Sequence, residues 1–383
     1  MSTPRIIIPL TEPSHSYGGA VMLASGHRPF FLMAALAAAG LLPLWLAAWL
    51  GLLPLDAAWH GHEMVFGFAG AAIGGFLMAA VPKWTNRPPI TGHRLMLLIG
   101  LYLAGRIGMV AGHGLQWADV AFLPTLAGFV LADVHISRNR RNYQVAGMLF
   151  ALTGLNIAWH LGQTQALWAG VYLIAGMIAL IGGRIVPAFT QGGLRMAGQR
   201  VDVSTPAWLD VVAVPVVLAV VVAEVVAPLS WASGLTALVA GVLLLVRMAG
   251  WQTLRTGRVP LVWILHAGYV WVPIGFLLKA AADLGNWVAP TAALHALTTG
   301  AIGVMIMAVA SRAALGHSGR PLVPSRWTVL AYGLVLAAAV LRVFVPHYHG
   351  VLAAGVLWSL GWTVFAVVYW PILTRPRIDG LPG

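Results

Sequence analysis

The chain has 383 residues, of which 60% are hydrophobic and only 8% charged, with a formal net charge of +12 and no cysteine. A mean hydropathy of +0.86 excludes an ordinary soluble domain and places the chain among polytopic membrane proteins. The missing thiols exclude structural disulfides, cysteine-bound iron–sulfur clusters, thiolate-ligated haem and covalent haem attachment. The cations are spread as loop anchors with no soluble module to sit on, so nucleic acid is excluded as a partner and the lipid bilayer is the expected one.

In chain order, residues 1–26 are polar and include Pro13. They lack the charged start, apolar core and small-residue cleavage site of a removable export signal, and read as a retained cytoplasmic segment. Twelve apolar segments follow, at about 30–53, 59–82, 94–112, 116–133, 143–160, 166–188, 207–229, 231–250, 260–282, 290–314, 327–345 and 349–373, each near the roughly 20 residues that cross hydrocarbon as a helix. The connections are short, which predicts a single transmembrane domain over residues 1–383. Runs such as VVAVPVVLAVVVA at 211–223 lack the period-two alternation of a membrane barrel, so the predicted class is all-α.

Basic residues fall at one set of loops: Arg5 and Arg28; Lys83, Arg87 and Arg94; Arg138, Arg140 and Arg141; Arg184, Arg195 and Arg200; Arg247, Arg255 and Arg258; Arg312, Arg320 and Arg326; Arg375 and Arg377. Only Arg106, Lys279 and Arg342 lie toward the other face. The positive-inside rule then puts both termini in the cytoplasm.

With that topology, the outer side collects histidines, and ionisable groups at membrane depth mark function. His60 and His62 open the second span in WHGHEMVFGF. Separated by one residue, they point about 200° apart on a helix and serve different partners on opposite sides; alternatively His60 precedes the first turn and only His62 enters the bundle. Glu63 is placed to orient an imidazole or carry a proton. The plain alternative is that these groups merely cap and hydrate a helix start. Arg106 lies inside the third span and needs an anion, with Asp119, Glu224, Glu63 or a haem propionate as candidates. His160 ends the fifth span one turn after Asn156, so both can face one cavity. His266 lies deeper and nearer the cytoplasm, with Tyr269 one turn on. His295 is followed by Thr298, Thr299 and glycines that permit a close neighbour. The candidate metal-ligating set is His60, His62, His160, His266 and His295. Without thiols, imidazole, thioether and carboxylate ligation suits non-covalent haem b, copper or iron. Depth assigns haem to His62 and His295 with Arg106 beside it, and copper to the neighbourhood of His160, His266 or His60. His266 joins that layer only if its helix is shifted or broken near Pro260 or Pro273.

The runs RPFF (28–31), WHGHEMVFGF (59–68), AVPKWTNRPP (80–89), GGRIVPAFT (182–190), LHAGYVWVPIGFLLKA (265–280) and LHALTTGAIGVMIMAVASRAALGHSGRPL (294–322) resemble the NnrS family across nearly the whole chain. The shared pattern covers His60, His62, Glu63, Arg184, His266, His295, Arg312 and His317. The resemblance implies a multi-pass protein of the bacterial inner membrane that carries haem and copper, is produced alongside denitrification or nitric oxide defence, and protects against nitrosative stress. Nitric oxide or nitrosyl species would be the ligands, with turnover and any electron donor undetermined.

A weaker parallel is the catalytic subunit of haem–copper oxidases and nitric oxide reductases, which would make the chain a nitric oxide-detoxifying oxidoreductase. The paired histidines expected to open the seventh span and the H-x-H expected on the tenth are missing. IGGFLMAAVPKWT, MIALIGGRIVPAFT and VMIMAVASRAALG hint at a four-helix repeat. Two other classes remain open: a proton or solute transporter using His60, His62, Arg106 and Glu224, and an assembly partner without chemistry of its own.

Overall fold

A computed structural model describes residues 20–381. The reading of residues 1–26 as a retained polar segment, with Arg5 and His15, therefore falls largely on residues 1–19, outside those described. The described residues contain helices and turns and no strand.

The rods are α1 His27–Trp49, α2 Ala57–Thr85, α3 Gly92–Ala111, α4 Leu115–Ile136, α5 Tyr143–His160 and α6 Ala166–Met196. They continue with α7 Ala207–Val226, α8 Trp231–Arg247, α9 Pro260–Gly285, α10 Pro290–His317, α11 Arg326–Phe344 and α12 Tyr348–Thr374. Ten of these are long and apolar enough to cross a membrane. The two that fall short of the twelve expected spans are α8, an apolar helix of 17 residues, and α5, which carries Tyr143, Gln144, Asn156 and His160 in an otherwise apolar run.

Helices form because the backbone has no other way to satisfy its polar groups in hydrocarbon. The same constraint explains why Pro43, Pro82, Pro187, Pro215, Pro273 and Pro371 sit inside helices without ending them. α9 starts on Pro260 and runs unbroken through Pro273, so the break that would have carried His266 to the outer layer does not occur.

Burial separates inner from outer rods. In the most apolar window, 78% of α2 and of α6 is buried, against 28% of α3 and 33% of α7. α2, α6 and α10, with Phe31 of α1, line a half-open pocket of about 90 Å³ whose apolar side chains include Ile73, Phe76, Ile178, Met305 and Ile306. The outer rods present Ile107, Val110, Val211, Val222 and Val367 outward, as a lipid-facing surface requires. α3 leans on the short 3₁₀ turn Leu115–Ala121 that opens α4, and this contact builds the candidate site.

Candidate metal centre

Asp56 accepts the Trp59 backbone N–H at 2.7 Å and sets Ala57 as the first residue of α2. His60 and His62 thus both lie within the helix and face apart. His60 stacks on Trp45 of α1, ring centroids 4.9 Å apart, while His62 turns to α4 and α5. After His62 the helix widens: Glu63–Ala69 is π-helical, and α10 repeats the device with Ala296–Gly303 directly after His295. Short π segments inside α-helices concentrate at functional sites, because the extra residue re-aims side chains around it.

His62, Glu63 and Asp119 are 0%, 2% and 4% exposed. Arg106 of α3 donates through Nη1 to Glu63 Oε1 at 2.5 Å and pairs through Nη2 with Asp119 Oδ1. Asn156 donates to Asp119 Oδ2 at 2.7 Å. His62 Nε2 lies 3.0 Å from Asn156 Oδ1 and 3.2 Å from Asp119 Oδ2, and its Nδ1 lies 3.3 Å from Glu63 Oε1. His160 Nε2 reaches Asp119 Oδ2 at 3.5 Å. His62, Asp119 and His160 each present one ligand atom, all within 4.8 Å of one another. Indoles close the sides, with Trp159 against His62 at 4.2 Å and Trp117 against His160 at 5.0 Å.

The charges do not cancel. Glu63 and Asp119 bring two negative charges and Arg106 one positive, so with neutral imidazoles the cluster carries a net −1 in a nearly dry site. A buried net charge is unfavourable unless something compensates it. A cation held by the two imidazoles and the carboxylate would do so, and that donor set suits copper, iron or zinc rather than calcium or magnesium.

Small residues allow the approach. A Cβ on Gly105 would sit 2.7 Å from Asp119 Cα, one on Gly108 would collide with the Leu115 carbonyl, and one on Gly67 would sit 2.9 Å from Arg106 Nη1. Asp119 is the candidate ligand that sequence reasoning considered only as a counter-ion. Its signal was the glycine pair on α3, which marks a close helix contact without saying which residue fills it.

His62 is therefore grouped with His160, and His295 with His60. His295 lies within electrostatic range of His60 and Arg342. Its Nδ1 donates to the Thr291 carbonyl at 2.6 Å, which leaves Nε2 as the acceptor nitrogen, the arrangement usual for a ligating histidine. His60 Nδ1 is buried with no hydrogen-bond partner among the described residues. Arg106 is committed to Glu63 and Asp119, whereas Arg342 makes no ion pair among the described residues. Glu224, another anion considered for Arg106, instead pairs with Lys279 Nζ at 2.7 Å, as does Asp283.

His266 stands apart at the other end of the bundle. The Thr190 hydroxyl donates to the Val186 carbonyl, so its contact of 2.7 Å with His266 Nε2 makes that nitrogen a donor. Nδ1 then accepts from Thr253 at 2.9 Å. Both nitrogens of His266 are used within the protein. His317 lies against His27 on that same side, ring centroids 4.8 Å apart, Arg184 donates to Asn142 at 3.0 Å, and Arg312 lies over the Phe189 ring at 4.0 Å.

No curated protein matches the chain. The family described as NnrS protein matches residues 21–377. Nearly every residue that builds the bundle and all of those around His62 and His295 lie inside that match, and the chain belongs to the NnrS family.

Proposed function

We propose that this protein binds a transition-metal ion, copper by the family resemblance, through His62, His160 and Asp119, and haem b at His60 and His295. It acts in nitric oxide metabolism and nitrosative-stress protection at the bacterial inner membrane, with both termini cytoplasmic. The observation that carries the reading is the buried His62–Asp119–His160 cluster with its uncompensated negative charge. The haem part is supported by the two histidines with uncommitted ring nitrogens and by Arg342, whose charge suits a propionate.

When bound, haem iron would supply tight binding of nitric oxide and copper a one-electron centre or a place for a second molecule. The chain's own residues prepare these sites. Glu63 Oε1 accepts from the His62 Nδ1–H, which would leave Nε2, facing Asn156 Oδ1 and Asp119 Oδ2, as the nitrogen that ligates. Asn156 holds Asp119 Oδ2 toward the two imidazoles. Arg106 holds Glu63 and Asp119 in register, and Trp159 and Trp117 limit water. The transporter reading has less support, because the pocket between α2, α6 and α10 is lined by apolar side chains and offers a solute no polar group.

The test is metal analysis and an optical spectrum of the purified protein, reduced, before and after a nitric oxide donor. Stoichiometric copper is expected, lost in His62→Ala and Asp119→Asn, together with a Soret band that shifts with nitric oxide and is lost in His60→Ala and His295→Ala. A folded protein that is colourless and metal-free refutes the proposal. Orientation is checked by single cysteines at 113 and 378, clean because the natural chain has none; only the first should react with an impermeant reagent from outside.

A further inference from the structure

At the end of the bundle opposite His62, the start of α1 meets the ends of α10 and α12. Arg28 is 1% exposed there. Its Nη1 donates to the carbonyls of Leu373 at 2.9 Å and Arg375 at 2.8 Å, the closing turn of α12. Its Nε and Nη2 are buried with no hydrogen-bond partner among the described residues, and Arg320 Nη1 is in the same position. Nε and Nη2 form one edge of the guanidinium, two parallel donors spaced to meet two oxygens of one anion.

The surrounding charge points the same way. Arg28 is within electrostatic range of Arg320 and Arg377, and His317, packed against His27, is within range of Lys83, Arg28 and Arg377. The opposing carboxylate is Asp379, which accepts from Arg377 at 2.9 Å and 2.7 Å. That hydrogen-bonded pairing holds the Asp379 carboxyl down at about 2, so it is already ionised and committed. Arg28, Lys83 and Arg320 make no ion pair among the described residues. Buried donors left without acceptors are rare in folded proteins, and a buried unpaired guanidinium is expensive. Lys83 and Arg375 are exposed beside these groups, so the cluster borders the aqueous or headgroup side.

We propose that Arg28 and Arg320 form a binding site for a phosphate-type oxyanion, supplied either as a free inorganic ion or as the headgroup phosphate of an anionic phospholipid. The side-on edge of Arg28 holds two oxygens and Arg320 a third, with Lys83 nearby attracting the anion electrostatically. The site is independent of the metal centre and lies at the other end of the molecule.

The full-length protein in nanodiscs of phosphatidylcholine is titrated with inorganic phosphate, with chloride at matched ionic strength as the control, and followed by thermal melting. In parallel, native mass spectrometry follows retention of phosphatidylglycerol. A saturable phosphate-specific rise in melting temperature identifies the free anion; one retained phosphatidylglycerol without that rise identifies the headgroup. Either signal should weaken at least about tenfold in Arg320→Gln, the loss expected for one charge-assisted hydrogen bond. Asp379→Asn, which removes the competing carboxylate, should strengthen it. Arg28→Gln also removes support for the end of α12, so the Arg320 and Asp379 variants carry the test if it fails to insert. Absence of both signals overturns the proposal, as does a signal that Arg320→Gln leaves unchanged.

Discussion

Arg106→Met is the sharpest perturbation of the metal centre. Methionine keeps most of the apolar stem and removes the guanidinium that bonds Glu63 at 2.5 Å and pairs with Asp119. Two carboxylates, 2% and 4% exposed, are then left without a cation among the described residues. Removing one partner of a buried pair costs about 3–5 kcal/mol. The loss should not double for the second carboxylate, because Asn156 still donates to Asp119 and His62 still faces Glu63. A loss of about 3 kcal/mol multiplies the unfolded fraction more than about 100-fold, since each 1.4 kcal/mol is a factor of ten. The assay is reversible unfolding in mixed micelles, scored for the single variant, for Arg106→Met with Glu63→Gln, and for the triple variant that adds Asp119→Asn. Stability should return stepwise as charge is removed, ending within about 1.5 kcal/mol of the natural protein, because neutral replacement of a buried ion cluster is often near-neutral. Added copper should stabilise the single variant, whose site carries the larger negative charge. A single variant that unfolds with the natural protein would refute the charge argument altogether.

Three further outcomes follow from particular contacts. Gly108→Val should cost at least about 2 kcal/mol and lower bound copper, since its Cβ would collide with the Leu115 carbonyl and push the Asp119 turn away from α3; melting and metal content measure both. Lys279→Met leaves Glu224 and Asp283 buried together and should destabilise by about 3–5 kcal/mol, with Lys279→Met/Glu224→Gln partly rescued in the same unfolding assay. His266→Ala should cost about 1–3 kcal/mol through the cavity left by its buried ring while copper content and the Soret band stay unchanged; loss of either metal signal would return His266 to the ligand set.

Much of the architecture was legible in the chain because lipid imposes a simple rule: an apolar stretch of sufficient length must be a helix. α9 and α10 start at the expected 260 and 290, and of the two readings of the H-x-H spacing the one that points His60 and His62 apart is what the structure shows, toward Trp45 and Asn156. α5 and α8, expected as spans like the rest, fall short of the length or hydropathy that marks the other ten, one interrupted by polar residues and one short. Depth along the helices was also readable, which is why His60, His62, His160 and His295 were grouped at one end and His266 was suspect.

What hydropathy does not encode is which helix stands beside which. The pairings of His62 with His160 and of His60 with His295, the commitment of Arg106 to Glu63 and Asp119, and the role of Asp119 itself all depend on lateral order in the bundle. That order is decided by close packing, where glycines such as Gly105 and Gly108 let a neighbouring backbone approach and residues far apart in sequence share one dry pocket. The same holds at the other end, where Arg28 at the start of α1 and Arg320 after α10 look like ordinary loop anchors in the chain and become a pair of partnerless donors only when the helix ends converge. The sequence by itself determined the helices and how deep each charged or ligating group lies in them; only the tertiary structure decided which of those groups meet.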